Sequence, residues 1–205
     1  MITKKDFIMG AIVGILVGLL SLPTVLNLNL AIGTAGKFLI PFILVILTII
    51  GLLIMSFLSR WLPVFWQIGK FIVIGGLNTF IDFGILNFLM LSSGLSAGAG
   101  YSGFKGISFV VAVVNSYFWN KYWVFASVGE KQKGEFLKFF IISAIGFGIN
   151  VGIASFTVNI VGAPAGIASN LWANIGAALA VVFSLMWNFL GYKFLVFKGV
   201  QTERT

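Results

Sequence analysis

The sequence contains no cysteine and no histidine, and only five of its 205 residues are acidic. The first two absences remove disulfides, thiolate nucleophiles, imidazole bases and the usual transition-metal ligands together. No cofactor and no metal centre is expected. Charge of either sign is scarce: 9% of residues are charged, against about a quarter in an ordinary soluble domain. There is no glycine-rich nucleotide loop either, so ATP-driven work on this chain is not expected.

What remains is apolar. Hydrophobic residues make up 60% of the chain and the mean hydropathy is +1.10, the composition of an integral membrane protein. Several runs reach the ~20 residues that a helix needs to cross ~30 Å of hydrocarbon. None shows the short alternating segments of an outer-membrane barrel. The fold class predicted is all-α: a polytopic membrane bundle of six transmembrane helices. A net charge of +8 would suit nucleic acid only if a polar domain carried it on one face, so it is read as membrane orientation and no nucleic acid is expected.

The six spans fall at about 7–28, 38–59, 70–91, 105–124, 138–161 and 167–191, and only the break at Ser127–Gly134 is strongly charged. The first is read as a span and not as a cleaved signal peptide, because a second apolar run follows almost at once. With an even number of crossings both termini share a side. Of the thirteen Lys and Arg, only Lys37 and Lys105 fall on the other side. By the positive-inside rule both termini, including a tail at 199–205, are expected in the cytoplasm of a cell whose plasma membrane holds the protein.

Comparing the chain with itself reveals a duplication. KFIVIGGLNTFIDFGI (70–85) lies over KFFIISAIGFGINVGI (138–153) without a gap, matching Lys70 with Lys138, Gly75 with Ser143, Asn78 with Gly146 and Asp82 with Asn150. SYFWNKYWVF (116–125) lies over NFLGYKFLVF (188–197), matching Lys121 with Lys193. Residues 70–125 and 138–197 are thus two copies of one helical hairpin. Each begins and ends on the same side, so the repeats are parallel and predict a four-helix core with a pseudo-twofold axis along the membrane normal. Residues 1–69 match neither copy and read as an additional amino-terminal hairpin.

Asp82 is the one acid deep in an apolar run; Glu130, Glu135 and Glu203 lie in polar segments and Asp6 near the start. At 1.5 Å per residue it lies roughly 18 Å beyond Lys70, slightly past the midplane. An ionised Asp there costs on the order of 2.5–3.5 kcal/mol on insertion scales unless it protonates, pairs or meets water. No Lys or Arg is placed at comparable depth by the same count, so an ion pair within one subunit is not expected. Two readings stand: a neutral acid bonded to Asn115, Asn150 or Asn174, or a residue lining a polar cavity that binds sugar hydroxyls or carries a proton. Gly75, Asn78, Thr79 and Asp82 share a face, repeated as Ser143, Gly146 and Asn150; small and amide residues at this spacing are also ordinary helix-packing positions.

Lys70, Lys121, Lys138 and Lys193 occupy matched ends of the four repeat helices. Four ammonium groups at that level could hold a lipid phosphate; snorkelling anchors are the plainer reading, above all for Lys70 and Lys138. Trp119, Tyr122, Trp123 and Tyr192 around them read mainly as an interfacial belt, and Trp61 and Trp66 likewise.

The opening K-F-x-x-x-G pattern at Lys70 and the paired closing motifs SYFWNKYWVF and NFLGYKFLVF resemble the GtrA-like family over about 70–198. Ser116 and Tyr192 depart from its usual residues, as does the hairpin 1–69. The resemblance implies translocation of a polyprenyl-phosphate monosaccharide for cell-surface polysaccharide or teichoic acid glycosylation, with a membrane glycosyltransferase as partner. It also implies the alternative of a non-catalytic anchor or accessory subunit of that transferase. The substrate-binding candidates are Asp82, Asn78, Asn115, Asn150, Asn188, Lys121, Lys193 and Trp123. Catalysis is not expected, for the chain offers one membrane-buried acid and no nucleophile with a base. A transporter of a small soluble solute is the weaker reading, since four helices enclose little volume unless the chain forms a homo-oligomer.

Overall fold

A computed structural model describes residues 3–27, 33–95, 98–127, 134–167 and 169–197. The expected charged loop centre (Glu130, Lys131, Lys133), the side chain of Asn174, and the tail with Lys198, Glu203 and Arg204 lie outside the described residues. The helices are α1 (Lys4–Asn27), α2 (Thr34–Leu58), α3 (Val64–Ser93), α4 (Gly98–Trp119), α5 (Glu135–Ser155) and α6 (Ser169–Gly191). Three of them continue into wider π-helical turns: α4 through Asn120–Val124, α5 through Phe156–Val161 and α6 through Tyr192–Val196. Among the described residues five helical stretches are long and apolar enough to cross a membrane: Lys4–Leu22, Ala35–Leu58, Val64–Ser93, Glu135–Val161 and Ala178–Val196. Almost every apolar residue on their outer faces, from Phe7 and Phe42 to Val181, is exposed, as lipid-facing surface requires.

The chain divides into two compact units, Met1–Ala126 and Ser127–Thr205. In the first unit α1 packs on both α2 and α3, and α3 packs on α4. The α1–α2 contact follows from Gly10, Gly14 and Gly18, spaced four apart on one face and all buried. Without side chains they let the partner helix approach closely, the usual device for association inside a bilayer. A β-carbon at Gly10 would stand 2.7 Å from Leu52 Cδ1, and one at Gly18 would stand 3.0 Å from the Pro41 carbonyl oxygen. On the other side of α1, Gly84 of α3 leaves room for the Leu20 carbonyl. The buried face of α3, with Phe71, Ile74, Leu77 and Ile81, completes this core.

The second unit is the α5–α6 hairpin. Phe139 stacks on Tyr192 with ring centroids 4.1 Å apart, and Trp187 Nε1 donates to the Ile142 carbonyl at 3.1 Å. Gly146 and Gly191 are buried where Asn188 and Ile142 respectively press against them.

Because the atom facing Gly18 is backbone, it cannot turn aside. Gly18→Val is expected to destabilise the protein by roughly 1–3 kcal/mol, whereas Gly51→Ala, which meets nothing within 4 Å, is expected to be neutral or stabilising. Thermal unfolding in detergent checks this, and equal stability of the two variants would refute close α1–α2 packing through Gly18.

Candidate functional site

The polar residues of α3 meet those of α4 in two rows. Asn115 Nδ2 donates to Asn78 Oδ1 at 2.8 Å. One turn further along α3, Asp82 Oδ2 accepts from the Lys105 ammonium and Asp82 Oδ1 accepts from Ser108 Oγ at 2.5 Å. The expectation that no cation reaches Asp82 is therefore wrong. It compared backbone depths, whereas a lysine side chain carries its charge well away from its Cα. Neither Asn115 nor Asn150 is the partner of Asp82: Asn115 serves Asn78, and Asn150 Nδ2 lies 3.4 Å from Ser184 Oγ within the other hairpin. Thr79, on the same face by spacing, turns back to its own helix and bonds the Gly75 carbonyl.

Exposure differs sharply across the ion pair. The Asp82 side chain retains 19% of its surface and the Lys105 side chain 41%, so the carboxylate is held inside the hairpin and the ammonium stands at its margin. Lys105 Nζ also lies 5.7 Å from the Phe83 ring centroid, a cation–π contact. Hydrogen-bond groups of this kind, fixed in an apolar hairpin, suit hydroxyl and phosphoryl ligands.

A second polar cluster joins α1 to α3 and to the turn after α4. Asp6 Oδ1 accepts from Trp123 Nε1 at 3.1 Å and lies 3.6 Å from Lys70 Nζ. Its other oxygen accepts from the Thr3 amide and hydroxyl. Lys70 Nζ donates to the Trp123 carbonyl at 2.8 Å and lies over the rings of Trp66 and Trp123. Two expectations are corrected here: Lys70 is buried and paired instead of snorkelling, and Trp123 is core and not interfacial belt. Asp6 lies in the first turn of α1. Sequence spacing offers no signal for contacts this far apart along the chain.

The closing motifs share a backbone device. Phe125 N donates to the Asn120 carbonyl and Phe197 N to the Tyr192 carbonyl, each at 2.9 Å, the i→i+5 bond of a π turn that often accompanies functional sites. Lys121 is 3% exposed and its Nζ lies 3.4 Å from Tyr117 Oη. Lys193 is half-buried, with Nζ near the rings of Phe189 and Phe194. Tyr192 is buried and its hydroxyl is 2.7 Å from Ser143 Oγ, so it too belongs to the core. Lys138 is exposed. Asn188 is placed against Gly146, and its Oδ1 has no hydrogen-bond partner among the described residues.

Two apolar cavities border α1 and α2, one of about 40 Å³ beside Asp6 and Trp66 and one of about 440 Å³ lined by residues such as Gly18, Pro41 and Phe42. Among the described residues no group of three or more acidic, His or Cys side chains stands close enough to hold a metal ion.

These features define a multi-pass helical membrane protein with a polar, ion-paired hairpin inside its apolar shell. The family described as GtrA/DPMS, transmembrane domain, matches residues 70–197. The uncharacterized membrane protein YngA of Bacillus subtilis (strain 168) is 30% identical over 146 residues, covering 66% of this chain and 85% of that protein. No solved structure matches the chain. The chain belongs to the GtrA/DPMS transmembrane family, whose members are generally non-catalytic membrane proteins of lipid-linked sugar processes.

If the Asp82–Lys105 contact is a true pair, the destabilisation of the double variant Asp82→Asn/Lys105→Ala will fall short of the sum of the single variants by about 1 kcal/mol, a value kept small because Lys105 is partly exposed. Strict additivity in chemical unfolding would refute it. At the other cluster, Asp6→Ala is expected to lower the unfolding temperature more than Asp6→Asn, which can still accept from Trp123. Equal losses would show that the Trp123 bond contributes nothing.

Proposed function

We propose that this protein translocates a polyprenyl-phosphate-linked monosaccharide across the plasma membrane, where the sugar serves cell-surface polysaccharide or teichoic acid glycosylation. Both termini are cytoplasmic in this reading. The observation that carries it is the pair of polar rows across α3 and α4, Asn78 with Asn115 and Asp82 with Lys105 and Ser108. Side chains that bond one another across an apolar hairpin are the chemistry that sugar hydroxyls can exchange into while the prenyl tail stays in lipid. Lys121, at the closing turn of the first hairpin, is the cation for the phosphate in this reading; in the second hairpin, taken by itself, Lys193 at the matched closing turn, with Asn150 and Asn188, offers the corresponding groups.

One observation favours a second reading, a non-catalytic accessory subunit that holds a polyprenyl-phosphate glycosyltransferase at the membrane. Asn78 and Asn115, and Asp82 and Ser108, already bond one another within the hairpin, and the cavities beside α1 and α2 are apolar. A dry bundle needs no passage.

Transbilayer movement of a polyprenyl-phosphate hexose in proteoliposomes separates the two. Movement by the wild type is expected, with loss in Asp82→Asn and in Lys121→Ala/Lys193→Ala proteins that remain folded. No movement above empty liposomes, across several sugars, would leave the accessory role.

A further inference from the structure

Lys105 is the only charged residue of α4, and orientation by positive charge does not explain it, since it lies on the charge-poor side. Its position relative to the helix ends is informative. The 30 residues of α3 extend about 45 Å, close to the ~40–45 Å of a bilayer with its headgroups. From Ser93 back to Asp82 is about 16 Å, and from Gly98 forward to Lys105 only about 10 Å. Lys105 thus originates near the hydrocarbon boundary at the α3–α4 turn, within snorkelling range of the headgroups there. Its ammonium points the other way, down to Asp82.

An ammonium has three donors. Among the described residues Asp82 is the hydrogen-bond partner of this one, while 41% of the side chain stays exposed. An exposed cation at this level has to face water, a headgroup or an anion. Ser108 adds the second element. Its hydroxyl lies 2.5 Å from Asp82 Oδ1 and 3.1 Å from the Lys105 carbonyl oxygen; neither of these contacts involves the Lys105 ammonium, so the carboxylate keeps the shorter one when the ammonium departs. The pair is therefore built to open without orphaning its buried acid, whereas breaking a pair that lacks such a donor is strongly unfavourable.

We infer that Lys105 forms a phosphate-binding site at the α3–α4 turn, at the opposite end of the first hairpin from Lys121, with Asp82 as the resident counter-ion that the phosphate displaces. The ligand class is a phosphoryl anion carried by a prenyl lipid or free in solution. In the lipid case the inference rests on the translocation reading, and supplies the docking point at which the phosphate would leave the hairpin.

The absence of native cysteine allows a direct test. Gly106 is exposed and has nothing within 4 Å of a β-carbon, so Gly106→Cys carries a fluorophore beside Lys105. In phosphatidylcholine nanodiscs, a nitroxide-tailed prenyl phosphate is expected to quench it saturably, and the prenyl alcohol of the same tail is not. Lys105→Ala should weaken the apparent affinity about tenfold, the worth of one charge-assisted hydrogen bond, while Lys105→Arg retains it and reports that the hairpin is folded. Competition by millimolar inorganic phosphate would assign the site to free phosphate, and resistance to it would assign the site to the lipid. Equal quenching by the alcohol, or quenching undiminished in Lys105→Ala, would overturn the site. Quenching that persists in a protein unable to move the lipid would remove the translocation reading and leave the site standing.

Discussion

A carboxylate inside an apolar helix has to be met by something, and α3 and α4 are arranged around that requirement. Asp82 would cost about 2.5–3.5 kcal/mol alone near the bilayer centre. Lys105 and Ser108 answer it from one helix, and Asn115 answers Asn78 a turn away. As α3 advances from 78 to 82, its partners on α4 step back from 115 to 108 and 105. That antiparallel progression fixes the register of the hairpin: sliding either helix by one turn would break both rows together. Leucine and isoleucine faces could slide without such a penalty, because lipid is as apolar as they are. The polar rows therefore supply specificity that the surrounding hydrophobic surface lacks.

The second hairpin repeats the plan with the charge removed. Asn150, at the position matching Asp82, also reaches across to the following helix, at Ser184. Ser143, matching Gly75, bonds the Tyr192 hydroxyl, and Trp187 bonds an α5 carbonyl. At these matched positions neutral donors and acceptors join α5 to α6. The ion pair at Asp82 is thus more than packing at this position demands, since Asn150 at the matched position meets Ser184 without a charge.

Much of this was legible in the sequence, and the parts that were not have definite physical causes. The six helices follow from runs of apolar residues, and the repeat from ungapped matches such as Lys121 with Lys193. The closing motifs were read as helix ends, yet they continue as π turns. A turn with i→i+5 bonds carries no signature in hydrophobic spacing. The Cα of Lys105 lies toward the far surface by helical rise, and helical rise does not register an ammonium turned inward. The Gly10, Gly14, Gly18 series is legible as a small-residue stripe, but its spacing does not say which helix it faces; that follows only when α2 lies against α1. Asp6 pairing with Lys70 and Trp123 could not be read at all: those residues are brought together only when α1 lies against α3.

That last contact bears on how the family unit is to be understood. The match begins at Lys70, but the carboxylate facing Lys70 belongs to α1, outside the matched segment. A buried ammonium without a counter-charge is unfavourable, and cation–π contacts with Trp66 and Trp123 offset only part of the loss. Asp6 also accepts from Trp123, within one of the two closing motifs. In this protein, therefore, the first hairpin of the family unit is not electrostatically complete by itself. The amino-terminal helix contributes an anion to its interior as well as an apolar face to its flank, so α1 is part of the same folded unit and more than a passive addition to it.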